Sequence, residues 1–259
     1  MNILITGASS GFGRELALKY ARHCEDLGLY LIARRGDRLK DLESSLREIA
    51  RQRWARLEVF LGIGDVCDKE FVRDFASGLD LDILVNNAGL ARGVDEASKV
   101  PFGDWEEMIE VNIKALSFLT HLVLPGFVAK GGGHIVNVGS IAGSYPYKGS
   151  SVYGASKAFV SQFSKNLRAE LFDKGVRVSN IEPGLCAGSD FSLTRFHGDA
   201  KKAAMVYAGT TPLQAADIAE AIFWVTSQPP HININHIEIM PTTQASAGLV
   251  VHRPGNLGI

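Results

Sequence analysis

The chain has 259 residues, 27 Lys+Arg against 28 Asp+Glu, and a formal net charge of -1. That balance leaves out the basic excess or stripe on which nucleic-acid binding depends. At this length about 75% of the unfolded surface can be buried, so no disulfide or metal staple is required and no metal site is expected.

Cys24, Cys67 and Cys186 are odd in number and show no CxxC spacing, which reads as reduced thiols in a cytoplasmic protein. The apolar stretches read as too short for a secretory signal or a bilayer span, so no membrane partner is expected.

Short apolar runs at 2–6, 28–33, 57–62, 82–86, 133–138, 175–181 and 235–240 predict strands. Stretches with helical spacing lie between them, at 12–24, 36–51, 68–78, 103–129, 152–174 and 214–227. Apolar residues on consecutive positions suit parallel strands buried on both faces, and the alternation suits right-handed βαβ units. The expected fold is α/β, a single doubly wound Rossmann-type domain over 1–259 with a mostly parallel seven-stranded sheet. The stretch 184–213 breaks the rhythm; with its aromatics and a helical patch at 199–207 it predicts a lid over a site.

Gly7, Gly11 and Gly13 stand where strand one gives way to helix one, with Ser9, Ser10 and Phe12 among them. A helix N-terminus offers unpaired N–H groups, and glycine lets a pyrophosphate approach closely. The spacing is GxxxGxG rather than GxGxxG, and a plain tight turn is the alternative. Strand two ends Ala33-Arg34-Arg35, without the carboxylate that would hold a ribose 2′-hydroxyl. Two guanidiniums suit a 2′-phosphate, hence NADP(H); a solvated basic turn is the other reading. Asp65 and Val66 follow strand three and are placed for adenine contact, or Asp65 caps the helix beginning near Asp68. In "NNAG" at 86–89, Asn86 is expected to tie strands together and Asn87 to meet the cofactor.

Ser140 ends strand five, so its hydroxyl is expected at the carboxyl edge of the sheet. Tyr153 and Lys157 are four apart on a predicted helix, within reach of each other. A free tyrosine has a pKa of about 10, and a neighbouring ammonium should lower it. Among 6 tyrosines a chance pairing is not remote; the order of glycine loop, NNAG, serine, tyrosine and lysine is what argues for chemistry.

"TGASSGFG", "NNAG", Asn112 in "MIEVNIKAL", Ser140, "YGASK" and "EPG" at 182–184 resemble the short-chain dehydrogenase/reductase family over essentially the whole length. The resemblance implies Tyr153 as general acid/base, and Lys157 as the group that lowers its pKa and binds the nicotinamide ribose. It also implies Ser140 as orienting the substrate oxygen, Asn112 as holding a relay water, and Pro183, Gly184 and Ser189 as cofactor contacts. Ser189 stands in for a threonine usual in the family, and Cys186 has no counterpart role.

"GSYPYKGSSVYGASKAFV", "IEPGLCAGSDFSLTRFHGD" and the stretch 231–253 are similar to the branch that oxidises 3-hydroxy acids and serine or allo-threonine with NADP. That likeness implies a homotetramer, with helices 103–129 and 152–174 at the contacts. A hydroxy-acid substrate needs a cation: Arg195 is the first choice and Lys148 the second, while Arg195 as a surface residue is the alternative. Two other functions remain open, a carbonyl reductase acting on another ketone or acyl thioester, and a non-catalytic NADP(H)-sensing module.

Overall fold

The computed structural model describes residues 1–246, so 247–253 of the stretch used in the branch comparison lie outside the described residues. Seven parallel strands form one sheet in the order β3-β2-β1-β4-β5-β6-β7. They are β1 (Asn2–Thr6), β2 (Asp26–Ala33), β3 (Arg56–Ile63), β4 (Ile83–Asn86), β5 (Gly133–Val138), β6 (Val176–Pro183) and β7 (His236–Ile239). The order reverses between β1 and β4, and a crevice opens at such a switch point beyond the strands' carboxyl ends.

Period-two alternation sends neighbouring residues of each strand to opposite layers. Ile3 and Ile5 of β1 face α1 (Gly11–His23), α2 (Gly36–Arg53) and α9 (Ala215–Thr226), packing with Leu16, Leu42 and Ile222. Leu4 faces the other layer, formed by α3 (Lys69–Ala76), α5 (Leu116–Lys130) and α6 (Ser151–Leu171), with Val72, Phe127 and Leu167. All these side chains are buried, which is why β1, β2 and β4 read as continuous apolar runs. Each predicted strand and helix is present, with ends shifted by three residues or fewer. The stretch 184–213 carries α7 (Phe191–Arg195), which was not expected, and α8 (Ala200–Met205) within the predicted patch.

One expectation is corrected. Residues Phe102–Lys130 run as α4 (Phe102–Ile109), a π-helical turn (Glu110–Ala115) and α5 without a break, and by length and hydropathy this helix meets the requirement for a bilayer span. The charged residues Asp104, Glu106, Glu107, Glu110 and Lys114 sit in its first half, and the stretch 115–129 carries no charged side chain. Its buried side chains Leu119, Val123 and Phe127 belong to the core beneath the sheet.

Asn86 ties strands as expected: its Nδ2 donates to Asn137 Oδ1 on β5 at 2.8 Å and to Thr120 Oγ1 on α5 at 2.9 Å. The Asn137 Nδ2 in turn donates to Ser164 on α6 at 2.9 Å. A fully satisfied polar chain of this kind fixes the register of sheet and helices more uniquely than apolar contacts do.

Candidate functional site

The crevice at the switch point is a cavity of about 400 Å³ lined by the glycine loop, the ends of β2 to β6, and α7. Gly7 and Gly11 have φ of +67° and +54°, in the left-handed region that only glycine enters cheaply. A Cβ at Gly13 would stand 2.8 Å from both the Gly7 carbonyl oxygen and Asn87 Nδ2, so the loop folds this tightly only without one. Helix α1 opens at Gly11 with no acidic residue in its first turn, leaving its N–H groups and positive dipole end facing the crevice.

Asn87 lines the crevice, yet its Nδ2 donates to the Thr6 and Gly7 carbonyls at 2.7 and 3.3 Å, and its N–H reaches Thr6 Oγ1 at 3.0 Å. It therefore clamps the glycine loop to the end of β4. Asp65 does not cap α3; Asp68 does, accepting from the N–H groups of Glu70 and Phe71. Asp65 instead accepts from Cys67 N–H at 2.9 Å and pairs loosely with Arg34 at 3.5 Å, with Val66 beside it in the crevice wall.

The two arginines part company. Arg34 is mostly exposed, while Arg35 donates from Nη2 to Ser9 Oγ at 3.1 Å and Ser10 Oγ at 2.8 Å. Arg35 Nη1 also grips the Asp190 carboxylate, which Arg38 Nη1 meets at 2.6 Å. Burial acts to raise the Asp190 carboxyl, but these two guanidiniums outweigh it and hold it below the usual carboxylate range. Two serines and two arginines thus form an anion cradle in which an internal carboxylate already sits. Arg38, one turn into α2, was legible as i+3 to Arg35; Asp190, 155 residues away in sequence, was not.

Ser140, Tyr153 and Lys157 come together as predicted. The turn at Ile141–Gly143 packs flush on α6, where a Cβ at Gly143 would collide with the Lys157 main chain at 2.7 Å. Lys157 is buried and donates from Nζ to the Val138 carbonyl at 2.8 Å. A Cβ at Gly89 would lie 3.3 Å from both Lys157 Nζ and Asn112 Oδ1, so the glycine of NNAG makes room for both.

Asn112 lies in the π turn, a distortion that recurs at functional sites. Its side chain exchanges hydrogen bonds with the Leu90 N–H and C=O at 3.0 and 2.9 Å, and Nδ2 also reaches Ser156 Oγ at 3.0 Å.

The expected lowering of Tyr153 is not realised, and the reason is burial. Desolvation and the Tyr147 hydroxyl push its phenol up to about 12, against a hydrogen bond with Ser140 and the charge of Arg195. The Lys157 ammonium stands 6.0 Å from the ring centroid and is itself driven down to about 8 by desolvation, opposed by Glu182.

Arg195 lines the crevice from the end of α7. Its guanidinium lies 5.6 Å from the ring centroids of both Tyr147 and Tyr153, and Nη2 donates to the Tyr147 hydroxyl at 2.6 Å. Lys148, by contrast, is exposed and paired with Glu96 at 2.9 Å, outside the crevice. Phe191, one of the aromatics of the predicted lid, leans its ring on Tyr153 at 5.7 Å, and Tyr147, which was not foreseen, completes the pocket.

Ser189 rests on the glycine loop, where a Cβ at Gly11 would come within 2.6 Å of it. Pro183, Gly184 and Cys186 line the same wall, and Phe12 the floor. Burial and the Asp217 charge push the Cys186 thiol up to about 12, which disfavours its thiolate.

This is the fold and the residue set of a nucleotide-dependent dehydrogenase. A family profile described as short chain dehydrogenase matches residues 1–198. The chain is 46% identical, over 98% of its length and 100% of the relative's, to the NADP-dependent 3-hydroxy acid dehydrogenase YdfG of Salmonella typhi. It is 45% identical, over 97% of its length and 98% of the relative's, to sulfoacetaldehyde reductase 2 of Chromohalobacter salexigens. Among solved structures, the closed form of serine dehydrogenase complexed with NADP+ superposes with a TM-score of 0.88 at 44% identity, covering 98% of this chain and 100% of that one. The chain belongs to the short-chain dehydrogenase family and is an oxidoreductase.

Proposed function

We propose that the protein is an NADP-dependent dehydrogenase that oxidises the hydroxyl of small 3-hydroxy acids, of the serine, allo-threonine and 3-hydroxypropionate type, or reduces the matching carbonyl. The observation that carries this reading is Arg195: among the described residues no carboxylate pairs with it, and its guanidinium faces the crevice beside Tyr153. The names of the relatives support it. A 3-hydroxy acid and sulfoacetaldehyde both place an anion one methylene away from the reacting carbon, which is the anion a guanidinium near the acid/base would hold.

NADP(H), when bound, accepts or supplies the hydride. Its pyrophosphate suits the N-terminus of α1 over Gly7, Gly11 and Gly13, and its 2′-phosphate suits the cradle of Ser9, Ser10, Arg35 and Arg38. Arg34, Asp65, Val66 and Asn87 would line the adenosine half, and Pro183, Gly184 and Ser189 the nicotinamide half. In oxidation Tyr153, as phenolate, takes the hydroxyl proton, and in reduction its phenol returns a proton to the carbonyl oxygen. Ser140 holds that oxygen, and Lys157 steadies the phenolate and the ribose. Because the Asn112 side chain is engaged with Leu90 and Ser156, a relay water would meet its main chain.

The segment 184–213 acts as the lid, since α7 carries both Phe191 and Arg195 into the crevice. A carbonyl reductase acting on other ketones or thioesters would not need Arg195 there, and the convergence of Ser140, Tyr153 and Lys157 argues against a non-catalytic NADP(H) sensor. A homotetramer with the Phe102–Lys130 helix and α6 at its contacts, in a soluble cytoplasmic enzyme, belongs to the same reading and rests on the likeness to the 3-hydroxy acid dehydrogenase branch.

Tyr153→Phe should abolish NADP+ reduction with 3-hydroxypropionate or serine while NADPH binding survives; retained turnover refutes the assigned base. Wild-type oxidation should rise as pH climbs from neutrality toward the phenol's own range, because only the phenolate accepts the proton. Arg195→Ala should lower kcat/KM for a hydroxy acid by about a hundredfold, the worth of a lost charged hydrogen bond, but barely alter turnover of an uncharged alcohol. Equal losses would make Arg195 structural. Arg35→Ser should raise the Kd for NADPH by about tenfold or more and leave that for NADH nearly unchanged. Sedimentation velocity at micromolar concentration should give four chains, and a monomer would end the tetramer reading.

A further inference from the structure

A second ionisable group is buried beside this site, and the mechanism just described does not use it. Glu182, near the end of β6, has a side chain that is 0% exposed. Its Oε1 accepts from Asn180 Nδ2 at 2.7 Å and its Oε2 from Ser144 Oγ at 3.2 Å. His236 Nε2, on the half-exposed face of β7, lies 3.1 Å from Oε2. A buried carboxylate is tolerated only when partners of this kind satisfy it, and a protein that maintains one carries a cost that apolar packing would avoid.

The placement explains what the carboxylate serves. Lys157 Nζ is anchored on Val138, which pairs in register with Ile181, the residue before Glu182. Next to Val138, Gly139 has no side chain because Glu182 and Asn180 lie over it: a Cβ there would come within 3.0 Å of Glu182 Cγ and 2.6 Å of Asn180 Oδ1. Gly143, which abuts the Lys157 main chain, is followed by Ser144, which bonds Glu182. Glu182 and Lys157 therefore flank the short segment that carries Ser140.

We propose that Glu182 is a positioning residue for this site, supplying the negative charge that faces the Lys157 ammonium, and that His236 is the surface residue through which that carboxylate can be reached. The proposal rests on the roles given above to Tyr153 and Lys157. The groups facing Glu182 are Lys157 from α6, His236 and Glu238 from β7, and Tyr145 from the loop after β5, whose hydroxyl donates to Glu238 at 3.3 Å. Glu182 acts on Lys157, whereas the charges acting on Tyr153 are those of Tyr147 and Arg195. Burial drives Lys157 down and Glu182 opposes it, the balance standing at about 8, so loss of the Glu182 charge leaves burial unopposed and makes the ammonium's proton easier to lose.

The sign of the effect follows. In carbonyl reduction the working form carries a proton on both Tyr153 and Lys157, so activity falls on the alkaline side as the pair loses its first proton. Removing a negative charge makes that loss easier and moves the alkaline limb to lower pH.

The test is Glu182→Gln, which keeps the size and the acceptor for Asn180 while presenting an NH2 donor to the Ser144 hydroxyl, assayed for reduction of 3-oxopropionate by NADPH across pH. The pH dependence of NADPH binding, read from nicotinamide fluorescence, is a second readout independent of turnover. The limb should shift down by about one pH unit in both, while kcat below neutrality stays close to wild type. Glu182→Asp should keep the wild-type limb. His236→Lys, at a half-exposed position, should move the limb in the same direction by placing a permanent cation on Glu182, and it decides the matter if the glutamine variant does not fold. A limb unmoved in both Glu182→Gln and His236→Lys overturns the proposal, as does a uniform loss of kcat at every pH, which would mark a structural role. Should Tyr153→Phe retain turnover, the reading of the acid/base fails separately, and the fluorescence limb still judges Glu182.

Discussion

The hydrogen bond from Lys157 to the Val138 carbonyl is the contact from which the rest of the site takes its coordinates. It brings an ammonium into a fully buried position and fastens α6 to the end of β5. With that helix fixed, Tyr153 lies one turn back on the same face, and Ser140 follows two residues after Val138. Gly89, Gly143 and Gly154 are small because the helix and its lysine are pressed against the neighbouring loops; a Cβ at Gly154 would meet the Ala142 carbonyl at 2.9 Å. Steric closeness and electrostatics are here one constraint. The packing that aligns the three side chains also strips them of water, which drives the tyrosine up and the lysine down.

Much of this was legible in the amino-acid sequence. Strands buried on both faces give unbroken apolar runs, so β1, β2 and β4 announced a parallel sheet, and the glycine loop announced the crevice at its edge. The helix spacing of Tyr153 and Lys157 was equally plain. The electrostatic state of that pair was not, because desolvation depends on everything packed around a group and not on its neighbours in sequence. Local spacing suggested a lowered tyrosine; burial reversed it.

The same limit hid Asp190 and Tyr147. Neither belongs to a local pattern: Asp190 reaches the site because the segment after β6 folds back across the crevice, and Tyr147 because the loop between β5 and α6 runs into it. Asp65 shows a smaller version of the problem, since two aspartates three residues apart compete for one helix start and only geometry assigns it to Asp68. Asn87 was placed correctly at the crevice, but its grip on the Thr6 and Gly7 carbonyls could be read only once β1 and β4 were known to be neighbours.

Helix α7 is short, and its two ends touch different things. Asp190 at its start is held by Arg35 and Arg38, while Arg195 at its end leans on Tyr147 and Tyr153, about 7.5 Å further along the axis. Arg92 fixes the far end by donating to the Thr194 carbonyl at 2.7 Å. One five-residue helix thus carries both the carboxylate that occupies the anion cradle and the guanidinium beside Tyr153, so the geometry of the two halves of the crevice is set by a single stretch of backbone.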